Sequence, residues 1–249
     1  MKQRIRKASL GFTLIEMIVV IIILGVLAAG ISTFIALSTQ IFTETTARDQ
    51  LVSSARFAVE RLNREVRNAL PNSLQLTNLN RCLEFTPIIE STIYTDIPVQ
   101  PDTAKNNISV IPFKETLVDT WRAIVYPLNP NDVYDDSSGK VHDVERIVDD
   151  TLNEWVIVIN DGTATHYTED SPTQRLYFVN GNDTVLYCLL EGNLTRNGIL
   201  MAQDIGNTNP FEIQPATLQR NAMVQIHFRF EKNNEQVTFN NEIQVLNVP

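Results

Sequence analysis

The residue types that carry enzyme or metal chemistry are present but are not grouped. The histidines, which bind metals and move protons, are His142, His166 and His227. They show no metal-ligand spacing among themselves or with the cysteines, and no serine stands in a nucleophile-elbow context. The sequence contains no glycine-rich loop of the kind that cradles a phosphate. It therefore predicts a protein that is not an enzyme and that carries no cofactor.

One acidic segment, "NPNDVYDDSSG" at 129–139, invites comparison with a metal site. Its carboxylates belong to Asp132, Asp135 and Asp136. They could gather a calcium ion, but the segment lacks the register and the terminal glutamate of an EF-hand loop. We therefore expect a long, solvated surface loop without a metal ion.

A single carboxylate, Glu16, lies at the start of one of the most apolar segments of the chain. No ionisable side chain occurs between Glu16 and Glu44, and residues 17–37 are almost wholly apolar. That is about the length that a helix needs to cross a bilayer. A carboxylate in hydrocarbon is costly unless it is paired. Glu16 is therefore either paired with a cation or placed among lipid headgroups at the N-terminus of a helix.

The chain is acidic overall, with 20 Lys and Arg against 29 Asp and Glu and a net charge of −9. The N-terminal residues are the exception, because Lys2, Arg4, Arg6 and Lys7 occur there without an acid. An acidic body argues against nucleic-acid binding by bulk electrostatics, so we predict no direct nucleic-acid partner. A basic head before an apolar segment predicts a cytoplasmic N-terminus and one membrane span, with the remainder outside the cytoplasm. A secretory signal peptide, cut after the apolar segment, has the same general layout.

The sequence contains two cysteines, Cys82 and Cys188. Disulfides persist outside the cytoplasm, so we expect these two to pair; two separate buried thiols are the alternative. A bond between them would close a loop of roughly a hundred residues and stabilise the fold by about 4 kcal/mol in the chain-entropy model.

Apolar side chains recur at alternating steps of three and four after the membrane segment, which predicts a helix that continues to Leu70. The stripe consists of Val52, Ala55, Val59, Leu62, Val66 and Ala69. Glu60 and Arg64 stand at the supportive i, i+4 spacing, and Pro71 is expected to end the helix. No proline interrupts the chain between Phe12 and Leu70, so one continuous helix is predicted there.

Short apolar runs divided by Asn, Asp, Gly and Pro clusters follow Pro71 and predict β-strands. The clearest is "MVQIHFRFE", in which Val224, Ile226, Phe228 and Phe230 alternate with polar residues. "LEGNL" predicts a hairpin. Strands in series without helical periods between them favour an antiparallel sheet. The predicted fold class is α+β: a long N-terminal helix, transmembrane in its first half, packed by its second half on an antiparallel β-sheet domain.

The segment "SLGFTLIEMIVV" resembles the processing site of type IV prepilins and type II secretion pseudopilins: a short basic leader, glycine, phenylalanine, then glutamate. The resemblance covers about the first 40 residues. In that family a membrane peptidase cuts after the glycine and methylates the new N-terminal residue. The resemblance implies that Gly11 is the last leader residue, that Phe12 is the methylated N-terminus, and that Glu16 pairs with the terminal amine of a neighbouring subunit.

A second segment, "ARFAVERLNREVRNAL", resembles the helix-end signature of J-type pseudopilins and their minor-pilin relatives. Leu62, Arg64, Glu65 and Arg67 form its Leu-x-Arg-acidic-x-Arg pattern. Together with "NALPNSL", "RCLEFTPI", "YCLLEGNLTR" and "LQRNAMVQI", the chain is most similar to the large minor pilins, the O-type subunits, of mannose-sensitive haemagglutinin (MSHA) pili. We expect Arg61, Arg64 and Arg67 either to hold the helix to acidic groups of the β domain or to face a partner.

These observations predict a non-enzymatic minor type IV pilin that initiates or caps a pilus. Its expected parts are a cleaved leader at 1–11, a transmembrane or filament-core helix at 12–37, an amphipathic extension at 38–70 and a periplasmic β-rich domain at 71–249. Its expected partners are prepilin peptidase, other minor and major pilins and the inner-membrane assembly platform. We expect it in the inner membrane and, after assembly, in the pilus or at its tip. The alternatives are a J-type pseudopilin of a type II secretion system and a membrane-anchored periplasmic binding or sensing domain.

Overall fold

The computed structural model describes residues 12–114, 120–151, 154–160, 163–181, 183–217, 220–233 and 235–245. Its first element is helix α1 (Leu14–Arg67), which is 54 residues long. The chain divides into two compact units, one up to Asp49 and one from Gln50 onward, so residues of α1 belong to both. The domain boundaries expected after residues 37 and 70 stay predictions.

The described residues after α1 form fourteen β-strands and one short α-helix, all in the unit from Gln50 onward. The strands are β1 (Gln75–Thr77), β2 (Cys82–Phe85), β3 (Glu90–Asp96), β4 (Asn107–Val110), β5 (Trp121–Val125), β6 (Val141–Thr151), β7 (Glu154–Ile159), β8 (Arg175–Asn180), β9 (Val185–Leu190), β10 (Asn193–Arg196), β11 (Ile199–Ala202), β12 (Phe211–Gln214), β13 (Ala222–Lys232) and β14 (Glu235–Val245). The short helix is α2 (Asn131–Tyr134), and a 3-10 turn follows at Asp136–Ser138. The named strands pair antiparallel throughout, which confirms the predicted fold class.

The last turns of α1 pack on two of the sheets. One sheet has the strand order β1-β2-β9-β10-β11, and the other has the order β12-β13-β14. The helix side chains buried in this core are Leu51, Ala55, Ala58, Leu62 and Val66. Val52 and Val59, predicted as members of the apolar stripe, are only partly buried. The buried face is therefore rotated towards Leu51 and Ala58.

The pattern predicted for β13 is confirmed. Val224, Ile226, Phe228 and Phe230 are fully buried in the same core as the helix, and the polar residues between them lie on the other face. The hairpin predicted at "LEGNL" is also present, because β9 pairs with β10 across a turn at Glu191 and Gly192.

Six strands close into a barrel that the sequence does not predict, in the order β3-β4-β7-β6-β5-β8. All six lie between β2 and β9 in the chain, and β2 and β9 are themselves paired, so the barrel is an insertion between two neighbouring strands. β8 lacks alternation because both of its faces are covered. Leu176 and Phe178 belong to the barrel interior, whereas Tyr177 and Val179 join an outer apolar cluster.

The segment 129–139 is not the open loop expected from its acidic and turn-forming residues. It folds into α2 and the 3-10 turn, and Val133 of α2 packs in the outer cluster with Leu70. The Tyr134 hydroxyl donates a hydrogen bond to the Ser73 carbonyl oxygen at 2.9 Å. Two apolar side chains among the acids therefore fix this segment against the folded unit.

Helix α1 ends at Arg67, three residues earlier than predicted and before Pro71 is reached. The Leu70 N–H already donates to the Thr86 carbonyl oxygen at 2.8 Å. Hydrogen bonding to the segment after β2, rather than the proline, therefore decides where the helix stops.

Candidate functional site

The first part of α1 presents apolar side chains in every direction. All residues from Phe12 to Thr46 are exposed, although this stretch contains most of the large aliphatic side chains of the helix. A helix that is apolar on all sides needs an apolar environment around it. Among the described residues, α1 is the helix that is long and apolar enough to cross a membrane.

Glu16 lies in the first turn of α1, and its side chain is exposed. Its backbone N–H donates to the Thr13 hydroxyl oxygen at 3.4 Å, so Thr13 caps the helix. Thr13-x-x-Glu16 has the spacing of a capping box, in which a glutamate at the third helical position reaches back to the cap. The Glu16 carboxylate therefore has two candidate roles, helix capping and pairing with a cation. Phe12 is 79% exposed, and Gly11 lies outside the described residues.

The same end of the chain matches a known family model. Residues 6–32 match the prokaryotic N-terminal methylation motif, a range that includes Gly11, Phe12 and Glu16. The match supports a type IV pilin-like protein. An apolar helix that begins within the motif fits a membrane-anchored member of that class. No curated protein and no solved structure matches the chain.

At the C-terminal end of α1, one carboxylate accepts hydrogen bonds from three side chains. Glu65 accepts from the Arg61 Nε at 3.0 Å, from the Arg196 Nε at 2.7 Å and from the Tyr187 hydroxyl at 2.9 Å. Arg196 belongs to β10 and Tyr187 to β9. The helix therefore contributes the carboxylate, and the sheet contributes a guanidinium group and a hydroxyl. Neither partner is recognisable from the sequence, because each lies more than a hundred residues from Glu65.

The helix arginines are placed differently from one another. Arg61 pairs with Glu65 within the helix, at the i, i+4 spacing. Arg64 and Arg67 are exposed in the last turn, and their side chains form no hydrogen bond or ion pair with any residue that the structure describes. Glu60 and Arg64, which have the same i, i+4 spacing, are both exposed, and no ion pair joins them in the described part of the chain.

The contacts around Glu65 shift the pKa values of two groups. Burial by itself raises the pKa of the Glu65 carboxyl, but hydrogen bonds from Arg196, Arg61 and Tyr187 outweigh burial and hold that pKa below its ordinary value. Burial, and then the hydrogen bond to Glu65, raise the pKa of the Tyr187 hydroxyl. At neutral pH the cluster therefore consists of a carboxylate, guanidinium groups and a neutral phenol.

Glu65→Gln is expected to lower the free energy of unfolding at pH 7 by about 2 kcal/mol, because hydrogen bonds to a charged group contribute about 1.5–3 kcal/mol. Since the folded-state pKa is lowered, the stabilisation by the wild-type carboxylate is present above its unfolded pKa of about 4.3 and is lost as the pH falls through the folded pKa. Denaturant titrations between pH 7 and pH 3 should show the two proteins converging in acid. Glu60→Gln, at an exposed carboxylate of the same helix, should change little. A constant difference at every pH would contradict the assignment.

The two cysteines form a disulfide, as predicted. Cys82 of β2 and Cys188 of β9 stand directly opposite each other in the antiparallel pairing, with Cα atoms 4.1 Å apart. The bond therefore joins the two strands between which the barrel is inserted.

The remaining candidate residues have separate partners. Asp132 pairs with Lys140 at 3.2 Å, Asp135 accepts from the Ser137 N–H at 2.9 Å, and Asp136 pairs with Arg122. In the described part of the chain, no group of three His, Cys, Asp or Glu side chains is placed to hold a metal ion.

Two of the three histidines are neighbours, because the His142 Nε2 lies 3.2 Å from the His166 carbonyl oxygen, whereas His227 lies in a different sheet. The His142 ring is buried, stacks edge-on against Tyr167 and hydrogen-bonds Asn160 at 3.0 Å; burial lowers its pKa. His227 lies on the exposed face of β13, as predicted, and bonds Asn240 at 3.1 Å. These contacts make His142 a structural residue and His227 a surface residue. The His166 Nε2 lies 2.6 Å from the Asp102 carbonyl oxygen.

Proposed function

We propose that this chain is a minor type IV pilin that is cut after Gly11, methylated at Phe12 and assembled with other pilins. The observation that carries the proposal is the methylation motif at residues 6–32, within which an exposed apolar helix begins at Leu14. Such a helix needs lipid before assembly and the helices of other subunits after it. The orientation that fits the basic N-terminus places the β structure in the periplasm.

The finer proposal is a low-copy subunit of an MSHA-type pilus that initiates or caps assembly. It rests on the sequence resemblance to the large minor pilins and on the size of the folded unit, which carries an inserted barrel beyond the sheets that hold the helix. The proposed partners are prepilin peptidase, the other minor and major pilins and the inner-membrane platform. The chemistry in this proposal is a peptide cut and a methylation, both made by the peptidase with its own methyl donor, followed by an ion pair at Glu16. This chain itself binds no cofactor in the proposal.

The N-terminus of the membrane-extracted protein tests the proposal. Intact-mass measurement and N-terminal sequencing should find a chain that starts at Phe12 with one added methyl group. Gly11→Ala should retain the leader, because the proposed cut follows a glycine. A wild-type chain that still begins with Met1, in cells with active prepilin peptidase, would contradict the filament function. That result would favour the membrane-anchored binding or sensing domain.

A J-type pseudopilin of a type II secretion system is the second candidate, because the helix-end pattern at Leu62, Arg64, Glu65 and Arg67 is shared with those proteins. Both candidates predict the same cut. Affinity purification of the tagged full chain after mild cross-linking separates them. Recovery of pilins supports the first candidate, and recovery of secretion pseudopilins supports the second.

A further inference from the structure

A groove of about 540 Å³ lies at the C-terminal end of α1, within the unit from Gln50 onward. Three arginines line it, together with one acid, one amide and two apolar residues: Arg64, Arg67, Arg196, Glu65, Asn68, Pro87 and Val185. The groove is therefore locally basic on a chain whose net charge is −9. A basic surface of this kind on an acidic protein selects acidic partners by charge.

Some charged side chains of the groove form ion pairs and others do not. Glu65 of α1 forms an ion pair with Arg196 of β10, with 2.7 Å between the carboxylate oxygen and the Arg196 Nε. Glu65 also forms an ion pair with Arg61. Arg64 and Arg67 have no such partner within the described ranges and are exposed. Two guanidinium groups therefore remain available to a ligand.

The spacing of Arg64 and Arg67 indicates which pattern of acidic residues in a ligand could bind both. Residues at i and i+3 of a helix have Cβ atoms about 5–6 Å apart. Side chains at i and i+2 of an extended strand point to the same face and are separated by roughly 6.6 Å. Each guanidinium can bind a carboxylate through two parallel N–H donors. An extended segment with the pattern acidic-x-acidic therefore matches the pair.

We infer that this groove is a docking site for an acidic peptide segment of a neighbouring, different subunit, held by Arg64 and Arg67. The identity of the partner as a neighbouring subunit rests on the proposed function, whereas the binding chemistry rests on the groove itself. The opposite reading is that both arginines only complement the partial negative charge at the helix C-terminus. That reading predicts an effect on stability without an effect on peptide binding.

The test uses the full chain in detergent micelles and a fluorescently labelled peptide, Gly-Ser-Glu-Val-Glu-Ser-Gly, with its Gln-Val-Gln counterpart as control. Fluorescence anisotropy should show salt-sensitive binding of the glutamate peptide and little binding of the glutamine peptide. Arg64→Gln combined with Arg67→Gln should weaken binding about tenfold or more, because both charge-assisted contacts are lost. Arg56→Gln combined with Arg81→Gln removes the same charge at two exposed arginines outside the groove and should bind as the wild type does.

Equal binding by the two double variants, or equal binding of the two peptides, would overturn the inference. Intact mass of the same preparations reports cleavage after Gly11 independently. An uncut chain that still binds the glutamate peptide through Arg64 and Arg67 would contradict the proposed function and the neighbouring subunit as source, but not the groove. A cut chain whose binding ignores these arginines would contradict the groove and leave the proposed function standing.

Discussion

Glu16→Gln is expected to leave cleavage after Gly11 intact and to reduce incorporation of the subunit into the assembly complex about a hundredfold or more. In the proposed complex the ammonium group of Phe12 and the Glu16 carboxylate of a neighbour lie between apolar helices. Removing one partner of a buried ion pair costs about 3–5 kcal/mol, because the other charge stays buried without compensation. Each 1.4 kcal/mol corresponds to about a factor of ten. Quantitative co-purification with other pilins from cross-linked membranes measures the loss.

The capping role of Glu16 needs a control of its own. Glutamine also suits the third position of a capping box, so Glu16→Gln keeps the start of α1 largely unchanged. Thr13→Ala removes the hydroxyl that accepts a hydrogen bond from the Glu16 N–H, so it should lower the stability of the helix by about 1 kcal/mol. Its effect on incorporation of the subunit should be correspondingly small. Equal losses for the two variants would assign Glu16 to helix capping. Unchanged incorporation of Glu16→Gln would contradict the pairing outright.

The features that follow from the sequence are those encoded by neighbouring residues. The alternation at 222–232 fixes both the strand and its buried face, since every second side chain must leave water. The glycine, phenylalanine and glutamate of the methylation motif stand within six residues of one another, so the motif needs no fold to be recognised. Helix α1 is likewise predicted by the long stretch of sequence without proline.

The features that do not follow from the sequence depend on distant pairing. Barrel closure requires β3 to pair with β8, strands separated by most of the insertion, and no local pattern specifies that partner. Burial of β8 on both faces removes the alternation that would mark it as a surface strand. The Glu65–Arg196 pair spans 131 residues, so the acid that joins the helix to the sheet looks like any other charge in a helical sequence.

Replacing both cysteines, Cys82→Ser with Cys188→Ser, is expected to lower the free energy of unfolding by about 4–5 kcal/mol. The disulfide joins residues 106 apart in sequence. Closing a loop of about that length restricts the unfolded chain by about 4.7 kcal/mol in the chain-entropy model. For a folded unit of roughly 200 residues, such a loss lowers the melting temperature by on the order of 10 °C. Thermal and denaturant unfolding of the full chain in micelles, followed by tryptophan fluorescence and far-UV circular dichroism, measures the change.

The tryptophans and the disulfide lie in different sheets, so tryptophan fluorescence reports on a part of the fold away from the bond. Both tryptophans, Trp121 and Trp155, lie in the barrel, whereas the disulfide lies in the neighbouring sheet at the two strands from which the insertion leaves. If the barrel and the sheet unfold together, both signals should shift equally in the double variant. Reducing the wild type before refolding should reproduce that shift without a substitution, since Cys82 and Cys188 are then free thiols in the same places. A double variant that unfolds within about 2 °C of the oxidised wild type would contradict the assignment, because an unfolded-state restraint of this size cannot be removed without a measurable loss.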